Sequence, residues 1–155
     1  MSKIIKIGAI VLAIVACIII GLAPIGPMPG IFIGGTETST PDNWENAADI
    51  GEIQLKIPGT IPRVVIIWVV DYSGDLYVVG SRKSGWVKML GDGGKVQMRL
   101  EDKTYSLSAK KITTDWEPVV TAYADKYRPD YPGIVNSFPP IEEAKGIFGV
   151  FKLSK

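Results

Sequence analysis

Apolar positions along this chain change period several times, and each change predicts an element. From Ile7 to Ala23 no residue is charged and Ile, Val, Ala and Leu dominate, while Lys6 can extend the stretch to Ile4 by snorkelling outward. At about 1.5 Å per residue this reaches roughly 25 Å, close to a hydrocarbon core of about 30 Å. Residues 1–23 are therefore expected to form an N-terminal transmembrane helix, a signal anchor that touches the membrane through residues 4–23. Lys3 and Lys6 precede it and no further positive charge occurs until Lys56. That asymmetry predicts a single-pass membrane protein with its N-terminus cytoplasmic and its C-terminal domain outside the cytoplasm. Two other readings stay open. Gly21-Leu22-Ala23 has the small-x-small form of a signal-peptide cleavage site, and Ile14-Val15-Ala16-Cys17 resembles a lipobox, although Ile18-Ile19-Ile20 follows it.

Pro24 to Gly30 holds three prolines and two glycines, which end a helix sharply. Residues 24–49 read as a Pro/Gly/Thr-rich linker and arm whose one large side chain, Trp44, packs on the domain surface. Period two then takes over. Ile53, Leu55 and Ile57 alternate with Glu52, Gln54 and Lys56. Arg63–Val70 is a β-branched run with Trp68 inside it, and the turn Asp71-Tyr72-Ser73-Gly74-Asp75 returns it as Leu76–Val79. Trp86–Leu90 fits one helical turn. Lys95–Leu100 and Lys103–Ile112 flank Glu101-Asp102 as a second hairpin. Two such hairpins cannot bury both faces alone, which favours a closed or partly closed barrel.

Period 3.6 appears over Asp115–Arg128, where Trp116, Val119, Val120, Tyr123 and Tyr127 share a face, and Thr114 with Glu117 fits a capping box. Asp125 and Lys126 fall on the opposite, solvent side. A last strand is expected over Ile147–Leu153. The order of strands, one main helix and a closing strand predicts an α+β fold, a small antiparallel barrel over residues 50–155.

Composition narrows the chemistry. The 155 residues include no histidine and one cysteine, Cys17. Imidazole triads, histidine pH switches, thiolate metal cages and an internal disulfide are excluded. Catalysis by this chain would fall to Asp, Glu, Lys or Tyr, or to a cofactor. The net charge of +1 conceals a pattern: residues 37–81 carry 2 basic against 7 acidic side chains, 82–111 carry 8 against 3, and 112–155 carry 5 against 6. The basic middle is either a site for a phosphate-bearing ligand or a solvated face beside acidic strands.

The segment Arg63-Val64-Val65-Ile66-Ile67-Trp68, the turn Tyr72-Ser73-Gly74-Asp75, and Leu76-Tyr77-Val78-Val79-Gly80-Ser81-Arg82-Lys83 together resemble one family. They are similar to the flavin-binding split β-barrels related to pyridoxamine 5′-phosphate oxidase and, more loosely, to the deazaflavin-dependent nitroreductases. The resemblance implies a split β-barrel and a homodimer with its cofactor site between subunits. It further implies flavin mononucleotide (FMN) or a deazaflavin as cofactor, with its phosphate held by Arg63, Ser81, Arg82 and Lys83. A hydroxyl, a guanidinium fork and an ammonium beside glycine-permitted backbone N–H groups are what a phosphate requires. Trp86, after a glycine turn, either covers the flavin ring or plugs the core. The family's oxidases carry a lysine where this chain has Trp68, and a Thr-Asn pair where it has Val78-Val79.

Two functions follow: a membrane-anchored flavin-type oxidoreductase, or a cofactor-free split-barrel module for binding or assembly at the membrane surface. Nucleic acid is not an expected partner, because the charge asymmetry places the body outside the cytoplasm.

Overall fold

The alternation over Glu52–Ile57 resolves into an inward face of Ile53, Leu55 and Ile57, each no more than 3% exposed. The computed structural model describes residues 3–44 and 47–155, with the side chains of residues 3, 18–21 and 47 outside that description. Its strands are β1 (Thr36–Glu37), β2 (Glu52–Ile57), β3 (Arg63–Tyr72), β4 (Asp75–Ser81), β5 (Gly93–Leu100), β6 (Lys103–Lys111) and β7 (Phe148–Ser154). The helices are α1 (Lys3–Leu22), α2 (Gly85–Leu90), α3 (Glu117–Tyr127) and α4 (Pro132–Val135).

The sheet runs β1-β6-β5-β2-β3-β4-β7, and β7 pairs again with β6, so six antiparallel strands close into a barrel. Closure leaves those six strands without a long free edge. β3 is shared unequally. Arg63 to Trp68 pair with β2, whereas Val69 to Tyr72 pair with β4. The upper half of β4, Val79 to Ser81, pairs only with β7. β3 and β4 therefore part beyond Val69 and Val78, and the barrel is split there.

Two apolar clusters result. Leu55, Val78, Met98, Leu107 and Phe151 fill the barrel interior, where Tyr105 also packs. Val70, Val79 and Val150 look outward and are covered by Trp116, Val119, Val120, Tyr123 and Tyr127 of the α3 region. The periodicity of that helix face is thus realised. The expected capping box is not. Trp116 occupies the N-cap position without a side-chain hydrogen bond, and Asp115, at φ 54°, turns the chain just before it. Burying the indole, 7% exposed, decides where the helix begins. Lys126 also departs from its expected solvent position, since its Nζ donates to the carbonyls of Ile50 (2.6 Å) and Val69 (2.9 Å).

Residues 30–38 form a strap rather than a free linker. Gly30 exchanges both backbone hydrogen bonds with Val64 at 2.8 Å, Arg99 Nη1 donates to the Ile33 carbonyl at 2.9 Å, and Thr104 Oγ1 donates to that of Gly34. β1 then lies parallel to β6. Further on, Trp44 meets Tyr105 edge to face at 5.1 Å.

The N-terminal expectation is corrected. Among the described residues no helix is long and apolar enough to cross a membrane. The expected transmembrane helix is therefore not supported, and the single-pass topology and the placement of the body outside the cytoplasm, which rested on it, are withdrawn; what the structure shows is a small antiparallel barrel with a few helices. Ile18-Ile19-Ile20 and Gly21, on which the cleavage and lipobox readings partly rest, lie outside the described side chains. Cys17 is exposed.

Candidate functional site

The split end of the barrel is closed by α2, and two glycines make that closure fit. Gly80 on β4 and Gly149 on β7 stand opposite each other in register. A Cβ on Gly80 would lie 2.2 Å from Trp86 Cζ2, and one on Gly149 would lie 2.8 Å from Val87 Cγ1. Only bare backbone admits the helix at this depth, so Trp86, Val87 and Leu90 drop into the interior. Trp86 is 7% exposed and lies 5.8 Å from the Phe151 ring. Its face belongs to the core.

The turn between β4 and α2 carries the candidate phosphate ligands. The backbone N–H and the hydroxyl of Ser84 both donate to the Ser81 carbonyl, at 2.9 and 2.7 Å, and Lys83 N–H donates to Ser81 Oγ at 3.2 Å. Ser81, Arg82 and Lys83 are exposed. Arg63, at the start of β3, reaches the same turn from across the split. Its guanidinium lies against Gly85, where a Cβ would sit 3.0 Å from Nη1. The guanidinium of the half-buried Arg63 makes no hydrogen bond or ion pair with a described residue.

Arg82 takes another direction. Its N–H donates to the Ile147 carbonyl (2.8 Å) and its Nε to that of Phe148 (3.1 Å). The side chain lines a cleft of about 130 Å³ on the outer side of β7, with Thr113, Trp116 and Lys145. The structure thus gathers Arg63, Ser81 and Lys83 around one turn and turns Arg82 away as a brace to β7. Sequence reading did not single out Gly85, although its lack of a side chain is what lets Arg63 approach.

Trp68, at the position of the family's lysine, is committed elsewhere. It faces outward and stacks on Tyr127 at 4.2 Å and 10°, with Tyr123 and Tyr131 at 5.9 and 4.8 Å. β2 begins at Glu52, opposite Trp68, so Val69 is the first residue of β3 without a β2 partner. The Tyr127 hydroxyl fills that vacancy: it accepts the Val69 N–H at 3.0 Å and faces the carbonyls of Val69 (2.7 Å) and Gly51 (2.5 Å). Burial pushes the phenol up to about 12 against the help of its Val69 hydrogen bond. Burial likewise lowers Lys126, with Asp49 and Asp71 opposing the shift.

The strand order also explains the charge pattern. Lys56, Arg63, Lys83, Lys88 and Lys95 fall at the barrel end closed by α2, whereas Glu52, Asp71, Asp75, Glu101 and Asp102 fall at the other.

No protein-family model and no curated protein matches the sequence. Solved structures do. The chain is similar to HutZ, the heme storage protein from Vibrio cholerae, with a TM-score of 0.50 and 15% identity over 71% of this chain and 84% of that one. A NimC/NimA family protein from Clostridium acetobutylicum matches with a TM-score of 0.48 and 22% identity over 68% and 75% of the two chains. The FAD and heme binding protein from Mycobacterium smegmatis gives 0.48 and 17% over 70% and 62%. The HutZ likeness is one of fold, and with the closed six-stranded barrel it establishes the split-barrel architecture.

Proposed function

We propose that this split-barrel chain binds a flavin nucleotide, FMN or a deazaflavin, and serves as an oxidoreductase. Arg63, Ser81 and Lys83 hold the phosphate, and Arg82 fixes their turn to β7. The observation that carries this reading is Arg63. A half-buried guanidinium without a partner among the described residues is brought across the split to a turn bearing an exposed serine hydroxyl and an ammonium. Desolvating such a charge is costly unless something pairs with it, and a phosphate does so with charge-assisted hydrogen bonds. The fit is good at the phosphate end. At the ring end Trp86 is inside the barrel and Trp68 is held by tyrosines, so cover for the ring has to come from a second copy, in keeping with the between-subunit site that the resemblance implies. The flavin, when bound, supplies the electron transfer. This chain's own side chains bind and orient it.

A second reading is a cofactor-free binding or assembly module, favoured by the commitment of Trp68 to its aromatic stack. One measurement separates the two. The purified full chain is titrated with FMN and with deazaflavin while absorbance and flavin fluorescence are followed. Saturable binding is expected. Arg63→Ala should weaken it by roughly 10- to 100-fold, as losing a charged hydrogen bond worth about 1.5–3 kcal/mol implies. Absence of binding by the unsubstituted chain to either cofactor would overturn the flavin reading.

A further inference from the structure

β2 pairs with β5 only through Gln54, Leu55 and Lys56, opposite Arg99, Met98 and Gln97. Two residues on, Pro58 has no N–H with which to continue a ladder. Where the two strands part, a cavity of about 360 Å³ opens on the outer face, walled by Pro58 and by the strand backbone at Val96 and Leu107, and edged by Lys56, Lys95, Gln97 and Ser106. No carboxylate lines it. Lys56 is half-buried, and its ammonium makes no hydrogen bond or ion pair with a described residue. Lys95 Nζ donates to Ser108 Oγ at 2.9 Å, a neutral partner that leaves its charge uncompensated. Lys56 stands opposite Gln97 in register and Lys95 lies two residues along the same face, so both ammonium groups border one opening.

Apolar walls with a few convergent polar groups are the usual constitution of a small-molecule site, and this volume falls near the small end of the range of about 300–1,000 Å³. Two uncompensated cations, an amide and a hydroxyl set the sign of the ligand. We propose that the cavity binds a small organic anion, a carboxylate or phosphate monoester, with its head on Lys56 and Lys95 and its apolar body against Pro58 and the methylene stems of the two lysines. The site is separate from the flavin site, because Arg63 pairs with Ile57 on the inner face of the sheet whereas Lys56 looks outward.

Amide spectra of the isotope-labelled full chain, titrated with hexanoate, hexyl phosphate and hexanol, test this. Both anions are expected to produce saturable shifts centred on Lys56, Lys95 to Gln97 and Ser106, with hexanol at least tenfold weaker. The double variant Lys56→Met, Lys95→Met keeps both stems and should lose at least tenfold in hexanoate affinity while the remaining spectrum is unchanged. If that variant does not fold, Lys56→Met alone should lose threefold or more. Arg63→Ala should leave hexanoate affinity unaltered, so failure of flavin binding and failure of this site are read independently. Equal binding of hexanol, shifts centred elsewhere, or unaltered affinity in the lysine variants would overturn the proposal.

Discussion

Replacing Tyr127 by Phe removes one oxygen and leaves the aromatic stack on Trp68 in place. In the parent the hydroxyl accepts the Val69 N–H at 3.0 Å and donates to a carbonyl, that of Val69 at 2.7 Å or Gly51 at 2.5 Å. Lys126 Nζ also reaches the Val69 carbonyl, at 2.9 Å, so that acceptor keeps a partner in the variant. The Val69 N–H does not. A buried donor left unsatisfied costs about 1–3 kcal/mol, and the lost donor bond adds about 1 kcal/mol. A destabilisation of about 2–4 kcal/mol is expected. With a urea slope of about 2 kcal/mol/M it lowers the unfolding midpoint by roughly 1–2 M. Urea unfolding followed by tryptophan fluorescence at neutral pH measures this. A midpoint shift below about 0.25 M would show that the hydroxyl does not bridge the split. The pH dependence gives a second test. The folded-state phenol titrates near 12 rather than its ordinary 10, so the folded chain holds the proton more tightly. That contribution is complete below pH 10 and is lost as pH rises through 12. The gap between parent and Tyr127→Phe should therefore narrow over this window.

Two further substitutions probe the parts that frame the site. Gly80→Ala drives a methyl into Trp86 and should cost about 1–3 kcal/mol as overpacking, seen as a lower urea midpoint; an unchanged midpoint would mean that α2 is not seated on β4 as described. Arg99→Met cuts the hydrogen bond to the Ile33 carbonyl. Hydrogen exchange over residues 30–38 should quicken by about tenfold or more while that of β2 and β3 is unaltered, and unchanged protection of the strap would refute its dependence on Arg99.

Several features were legible because their causes are local. The alternation of Ile53, Leu55 and Ile57, the turn at Ser73-Gly74 and the buried stripe of α3 are set by residues within a few positions of one another. Lys126 escaped that logic: its carbonyl partners lie 57 and 76 residues away, so helical periodicity placed it in solvent. The N-terminal run shows the opposite error, in which local hydropathy suggested a span although no helix among the described residues is long and apolar enough to cross a membrane.

By itself the sequence determined the six barrel strands, the helical face, the absence of imidazole chemistry and the separation of charge into blocks, because each depends on composition or short-range period. It also supplied the Ser81-Arg82-Lys83 motif. Which of those side chains meet was decided by the tertiary structure. Barrel closure parts β3 from β4, and the facing glycines 80 and 149 let α2 into the gap. Arg63 then lies beside Gly85, while the hydrogen bonds to the carbonyls of Ile147 and Phe148 carry Arg82 the other way. These are contacts between residues far apart in the chain, where backbone pairing and close packing, rather than local preference, choose the neighbours.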